Sequence, residues 1–404
     1  MPQATPLLRL LNVLLAPGMR TRKDPDAVYE RLLQEVQSGR ATLGADDLAA
    51  VDGLRLLLGD LAAYPELSAM GWSSTQDQVR DRLRNRVVVR EAQASRPEVR
   101  DEPVTGPVFV VGLPRTGTTL TYNLIARHPG HRGPKLWEMT NLGLPRPEAE
   151  RERLIAQARK RFATVAKLSP AWAHLHPLIA DSEEEDFMLR AHTEMYATWG
   201  PLPRYLDHVA KADLTDDYLF LRDALQVMAA GEAPERWVIK HPMNLWRMPE
   251  ILRAFPDARF VWTHRAPAAA VASGSSMAEA THVLYTKPGR IDLDRIGREW
   301  LEISAGGVER AIRLREELPA DAVIDVVYDD LLADPRSVLR GVFERLDLAW
   351  GEADDANLAA SLDRTGHRPH VYTLERYGLD EAQVAAAFSA YTIPASVLGR
   401  SADM

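Results

Sequence analysis

Residues 107–129, PVFVVGLPRTGTTLTYNLIARHP, constrain the fold more than any other stretch of the chain. The run Val108-Phe109-Val110-Val111 is apolar and mostly β-branched, which reads as a central parallel strand buried on both faces. Gly112 and Gly117 bracket Leu113-Pro114-Arg115-Thr116, and Thr118-Thr119 open a helix with Leu120, Leu124 and Ile125 at helical spacing. A strand, a glycine-bounded turn and a helix, in that order, carry the unpaired N–H groups of a helix N-terminus to the end of a sheet. Such groups suit a phosphate, and glycine lets the backbone come close to it. A phosphorylated ligand is therefore expected here, with Arg115 facing it.

The glycine spacing is that of a Walker A loop, G-x-x-x-x-G-K-[ST], in which Lys reaches the terminal phosphates. Thr118 stands at that Lys position, and the cation has moved inside the loop, to Arg115. The turn can still cradle a 5′-phosphate, with its charge placed elsewhere. An ordinary glycine-containing turn is the plain alternative. Against it, Pro114-Arg115-Thr116-Gly117-Thr118-Thr119 gathers several phosphate-binding features into one turn.

The chain has 404 residues, 46% of them hydrophobic, enough for one large α/β domain with additions or for two or three domains. It has no cysteine, which excludes disulfides, thiolate metal sites and cysteine nucleophiles and fits a cytoplasmic protein. A net charge of −8 argues against general nucleic-acid binding while leaving room for a local basic pocket. Leu7 to Ala16 is apolar but short and interrupted by Arg9, with no basic residue before it. It predicts an amphipathic helix packed on the body, with a membrane-surface helix as the lesser reading, and neither a spanning segment nor a signal peptide.

Residues 1–103 read as a helical N-terminal extension that packs on the core or on a partner subunit; a homo-oligomer is left open. Pro25-Asp26 opens a helix carrying Val28, Leu32, Leu33 and Val36, and Ser74 is a candidate cap for one carrying Val79, Leu83 and Val87. Residues 104–404 read as an α/β domain. Candidate strands at 107–112, 237–240, 258–263 and 323–328 alternate with helices, which predicts a mostly parallel sheet. A helical insertion at about 141–235 would lie beyond the strand ends and wall a second substrate pocket. No internal repeat or low-complexity tract is present.

Further candidates fall near those strand ends. Arg265 directly follows the strand extended to His264 (258–264), and Ser273 lies eight residues on; together they could grip one phosphate from two sides. A structural salt bridge is the competing use of Arg265. Lys240 closes the strand at 237–240 and could put a point charge on a leaving-group oxygen, or simply pair at the sheet rim. Glu138 follows the loop helix, beside Trp137, where desolvation would suit it to proton abstraction. His174 and His176, followed by Asp181 and Glu183 to Asp186, could ligate a metal but lack a defined ligand set, so no metal is assigned. The acidic run reads instead as a helix N-terminus. His176 is left as a candidate for the acceptor pocket.

Taken together, these pieces resemble the sulfotransferases that use 3′-phosphoadenosine 5′-phosphosulfate (PAPS), from about residue 104 to 391, and most nearly their bacterial and tyrosylprotein-like branch. The resemblance implies a P-loop-like three-layer fold, a central sheet flanked by helices. It places the 5′-phosphosulfate loop at Pro114, Arg115, Thr116, Gly117, Thr118 and Thr119, and the 3′-phosphate element at Arg265 and Ser273. The stretch from His367 to Leu379 looks like the closing segment of that group, with Arg368 as a third 3′-phosphate contact. In that branch the base is a Glu after the loop helix, here Glu138, and the leaving-group Lys, in a Lys-x-Pro setting, is Lys240. Cytosolic sulfotransferases usually have Lys where this chain has Arg115, and use a His base. The spacing from Arg115 to Glu138 is only approximately that of the family, and residues 1–103 lie outside the match.

The expected chemistry is metal-free transfer of a sulfuryl group to the hydroxyl of a small alcohol or phenol, as in tailoring of a secondary metabolite. Adenosine 3′,5′-bisphosphate (PAP) is the product. Glu138 would take the acceptor proton, while Arg115 and Lys240 stabilise charge developing on the bridging and sulfuryl oxygens. Trp137, His174, His176 and Trp199 are candidates to line the acceptor pocket. Two alternatives stand beside this. A P-loop kinase or nucleotide hydrolase would use Mg²⁺ and a carboxylate such as Asp329 or Asp330. A non-catalytic nucleotide-binding protein would bind the cofactor and modify nothing.

Overall fold

The computed structural model describes residues 4–364 and 373–395. Five strands form one sheet in the order β2-β3-β1-β4-β5. They are β1 Val108–Gly112, β2 His131–Arg132, β3 Arg236–Lys240, β4 Arg259–His264 and β5 Val323–Val327. Every pairing is parallel. The central strand is buried along its whole length, as its unbroken apolar run requires. Its side chains alternate between two cores. Phe109 and Val111 join Trp237, Ile239, Phe260 and Trp262 on one face. Val108 and Val110 join Val238, Val261, Ile324 and Val326 on the other, under the helices Thr118–Ala126 and Pro335–Arg345.

The register sets the site. Gly112 lies opposite Thr263 of β4, and Val110 lies opposite Lys240 of β3. Lys240, Gly112 and His264 therefore end three adjacent strands at one edge of the sheet. After β1 the chain leaves for the far edge, returns through β3, then crosses to β4 and β5. The loop after β1 thus sits where the strand order reverses, the usual place for a ligand in such sheets.

Several expectations are corrected. β2 is a strand beyond the four expected; two residues are too few to show a period. The last strand stops at Val327, one residue short of its expected end, and Tyr328 with the two acids after it opens a helix, Tyr328–Ala333, directly at that strand end. Ser74 lies inside a helix that begins earlier, Ala69–Ser95. Its cap is Ser68, whose hydroxyl accepts the Gly71 N–H at 2.9 Å. The acidic run opens no α-helix; only the short turn Asp186–Met188 follows it. Its members are partly or fully buried, and buried carboxylates need counter-charges more than they need a helix dipole.

The N-terminal helices bury Leu54, Leu57, Leu61, Trp72 and Val79 against Tyr196, Trp199 and Tyr205 of the 141–235 segment. They are tied to the helix Pro267–Tyr285 by the Ser68 N–H on the Tyr285 carbonyl, 2.7 Å. No helix among the described residues is long and apolar enough to cross a membrane.

Candidate active site

The loop after β1 is held in a shape that only certain residues tolerate. Gly112 has φ +147°, and a Cβ there would lie 2.6 Å from the Thr263 carbonyl oxygen. Gly117 has φ +88° and backs onto Tyr328. Arg115 itself takes φ +72°, an unusual conformation for a side-chain-bearing residue. Thr116 fixes the turn from within: its hydroxyl donates to the Leu113 carbonyl at 2.7 Å and meets the Thr263 hydroxyl at 2.6 Å. The helix Thr118–Ala126 then starts with no side chain capping its N-terminus. Its first N–H groups therefore have no side-chain cap, a setting that favours an anion, and the Thr119 hydroxyl is exposed beside them. Thr118 and Pro114 are both buried.

Arg265 leaves β4 and reaches back to this loop. One guanidinium N–H donates to the Arg115 carbonyl at 2.9 Å, and the group stacks on Tyr328, 4.4 Å from the ring centroid. Ser273 is buried on the helix Pro267–Tyr285, which starts two residues after Arg265. Arg368 lies outside the described residues. The chain after it is anchored at the same end. Arg376 and Tyr377 bind Glu279 of the Ser273 helix, the latter at 2.9 Å, and the Tyr391 hydroxyl meets His264 Nδ1 at 2.8 Å.

On the other side of β1, Lys240 is buried and ion-paired. Its Nζ lies 2.5 Å from Glu185, whose second oxygen meets His241 Nδ1 at 2.9 Å. Burial works to raise the Glu185 pKa, but the Lys240 charge, helped by His241, holds it far below the usual carboxylate range. Glu184, next in the chain, meets His176 Nε2 at 3.0 Å. Burial works to lower the His176 pKa, and the Glu184 carboxylate overcomes this, leaving it raised above the ordinary 6.5. His176 comes to the loop through its neighbour: Arg115 donates to the Leu175 carbonyl at 3.1 Å. Glu183 pairs with Arg127, and Asp186 with Arg190, so each acid of the run has its own cation or imidazole.

His176, Glu184 and Glu185 bring three ligand atoms within 4.8 Å of one another. That spacing could hold an ion. However, Glu185 already faces the Lys240 ammonium, which opposes a second cation at the same carboxylate. His174 is exposed on the same short helix, Pro170–Leu175, and Asp181 pairs with Arg159 at the surface.

Glu138 has both oxygens engaged. One accepts the Lys135 backbone N–H at 2.9 Å in a capping box at the start of the helix Leu136–Thr140; the other binds Arg132 at 2.5 Å. Trp137 is buried with Leu154, Ala158 and Phe162. Trp199 stacks on Tyr285, rings 4.8 Å apart, within the N-terminal helical cluster. The structure therefore gathers Arg115, Lys240, His176, Thr119 and Arg265 about one loop, and gives Trp137 and Trp199 packing roles.

Sequence reasoning did not single out Thr263, Tyr328, Glu184 or Glu185 individually. Tyr328 gave no signal beyond ending an apolar run. The two glutamates were visible only as members of an acidic cluster.

Residues 107–352 match the model of a family described as the sulfotransferase family, more than half of the chain. The structure is similar to the sulfotransferase STF1 from Mycobacterium tuberculosis H37Rv, with 26% identity and a TM-score of 0.80 over 91% of this chain and 98% of that one. It is similar also to the sulfotransferase STF9 from Mycobacterium avium, with 25% identity and a TM-score of 0.79 over 91% and 95%. No curated protein matches the chain.

Proposed function

The chain belongs to the sulfotransferase family, and from that premise we propose that it moves a sulfuryl group from PAPS to the hydroxyl of a small alcohol or phenol. The observation that carries this is the Arg265–Arg115 hydrogen bond. It ties the strand-end Arg, which with Ser273 would fit a 3′-phosphate, to the loop whose uncapped helix N-terminus would fit a 5′-phosphate. Backbone N–H groups and the Thr119 hydroxyl bind the first; Arg265 and Ser273 bind the second, with Arg368 as a third contact. The donor supplies an activated sulfuryl group, whose bond to the 5′-phosphate breaks as the acceptor oxygen bonds to sulfur. Arg115 within the loop and Lys240 at the end of the neighbouring strand stabilise negative charge on the departing and sulfuryl oxygens. No metal is needed for this assignment.

Glu138 is the base that the family resemblance implies. A second reading has a specific observation in its favour. Glu138 is held by Arg132 and a backbone N–H, whereas His176 carries a carboxylate behind its ring and sits beside the residue that Arg115 grips. With Nε2–H on Glu184, the Nδ1 lone pair is the one left to take the acceptor proton. In this reading Glu138 fixes the turn and His176 is the base. The acceptor is small and largely apolar, in keeping with the Trp172 ring beside His176; tailoring of a secondary metabolite and a cytoplasmic setting belong to the same proposal.

Calorimetry without added metal tests the cofactor assignment, comparing PAP with adenosine 5′-diphosphate. The two carry similar charge and place it differently. Clear preference for PAP is expected. Equal binding, or preference for the diphosphate with Mg²⁺, would transfer the chain's activity to the kinase or nucleotide-hydrolase reading.

A further inference from the structure

The helix Pro6–Leu15 buries one side chain, Leu8, against Leu168 and Val283. Its opposite side is apolar and open to solvent: Leu7 is 37% exposed, Leu10 54%, Val13 71% and Leu14 64%. At 3.6 residues per turn these four positions fall within about a third of the helix circumference. They make up four of the seven large hydrophobic side chains exposed among the described residues, all on one ten-residue helix. Scattered exposed leucines need no explanation, but a contiguous stripe does.

The charge around the stripe selects its partner. Arg9, Arg20 and Lys23 are exposed on this helix and on the turn Ala16–Lys23 that continues it, and the sequence holds no acid before Asp24. Arg22, also in that turn, is committed to the Ala62 and Tyr64 carbonyls. This local excess of positive charge sits on a chain of net charge −8. Two copies related by a two-fold axis through the stripe would bring these cations towards one another. The stripe presents only on the order of 400 Å², about half of what one partner of a stable dimer buries. An anionic lipid surface answers both features: it accepts the leucines at the acyl boundary and the cations at the headgroups.

We propose that Leu7, Leu10, Val13 and Leu14, with Arg9, Arg20 and Lys23, form a docking surface for an anionic bilayer. The helix is joined to the site's outer wall. The Thr5 hydroxyl donates to the Leu168 carbonyl at 3.4 Å, and the short helix after Leu168 ends at Leu175, which Arg115 holds. Docking would therefore set the acceptor side of the protein against the membrane interface. The binding surface itself does not depend on the sulfuryl-transfer reading.

The test is flotation of the full chain with vesicles of phosphatidylcholine alone and of phosphatidylcholine with an equal part of phosphatidylglycerol. Binding to the anionic vesicles, weakened in high salt, is expected, with a loss of tenfold or more in the variant carrying Leu10→Ser, Val13→Ser and Leu14→Ser. An unchanged melting temperature shows that this variant folds. A gain-of-signal measurement runs beside it: in Val13→Trp, emission should shift to shorter wavelength with anionic vesicles only. No binding by the parent chain, or equal binding by the triple variant, would overturn the proposal. So would a concentration-dependent dimer that the triple variant abolishes in the absence of vesicle binding, which would give the stripe to a second copy.

Discussion

Arg265 donates to the main-chain carbonyl of Arg115 at 2.9 Å, so the cation at the end of β4 holds the loop at the end of β1. Two elements far apart in sequence become one site through that bond. The loop's unusual backbone at Arg115 is thereby supported from outside as well as by Thr116 within. Arg265→Ala should thus do two things: remove a phosphate contact and release the loop. A lost hydrogen bond to a charged group costs about 1.5–3 kcal/mol, so PAP affinity should fall about 10- to 100-fold, as read by calorimetry. Affinity for adenosine 5′-monophosphate, which lacks the 3′-phosphate, should fall less. Equal losses for both ligands would confine Arg265 to loop support.

Gly112→Ala tests the loop's shape without touching a charge. The added Cβ would meet the Thr263 carbonyl, a backbone atom that cannot swing aside, at a φ that L residues rarely adopt. PAP binding should be lost or weakened more than tenfold in a chain that still folds, measured by calorimetry with circular dichroism as the control.

The pair Lys240–Glu185 separates structure from chemistry. Lys240→Met leaves a buried carboxylate uncompensated and should destabilise the protein by about 3–5 kcal/mol in denaturant unfolding. Adding Glu185→Gln should recover much of that loss, because the uncompensated carboxylate is then removed. Turnover should stay low in the double variant if Lys240 stabilises the leaving oxygen. Recovery of turnover along with stability would reduce Lys240 to a structural ion pair.

The pH dependence distinguishes the two bases. His176 has a pKa raised above 6.5, so as a base it is active only when deprotonated, and kcat/KM should rise with pH through a value above 6.5. Glu184→Gln removes the carboxylate that raises it, and the acidic limb should move to lower pH. The linked stability has the opposite sense: it is fully present below pH 6.5 and fades as pH rises through the raised value. If Glu138 is the base instead, Glu138→Gln lowers turnover on the order of 10²–10⁴ and His176→Asn leaves the acidic limb in place.

Much of this protein can be read from the chain alone, and the reason is local. A strand buried on both faces needs an unbroken apolar run, and a phosphate turn needs glycines at fixed spacing. β1, its loop, its helix and the strands carrying Lys240 and Arg265 are therefore written in consecutive residues. The two-residue β2 and the true start of the helix Ala69–Ser95 were not legible. One is too short to show a period, and the other depends on Ser68 being tied to Tyr285 across the fold. Side-chain partners were the least legible of all. Glu183 to Asp186 read as one acidic run, yet burial sends its members to Arg127, His176, Lys240 and Arg190, residues spread over more than 100 positions. The sequence by itself determined which backbone could cradle a phosphate. Only the tertiary structure decided which charges meet there, because a buried charge takes the partner that packing brings within reach, whatever its distance along the chain.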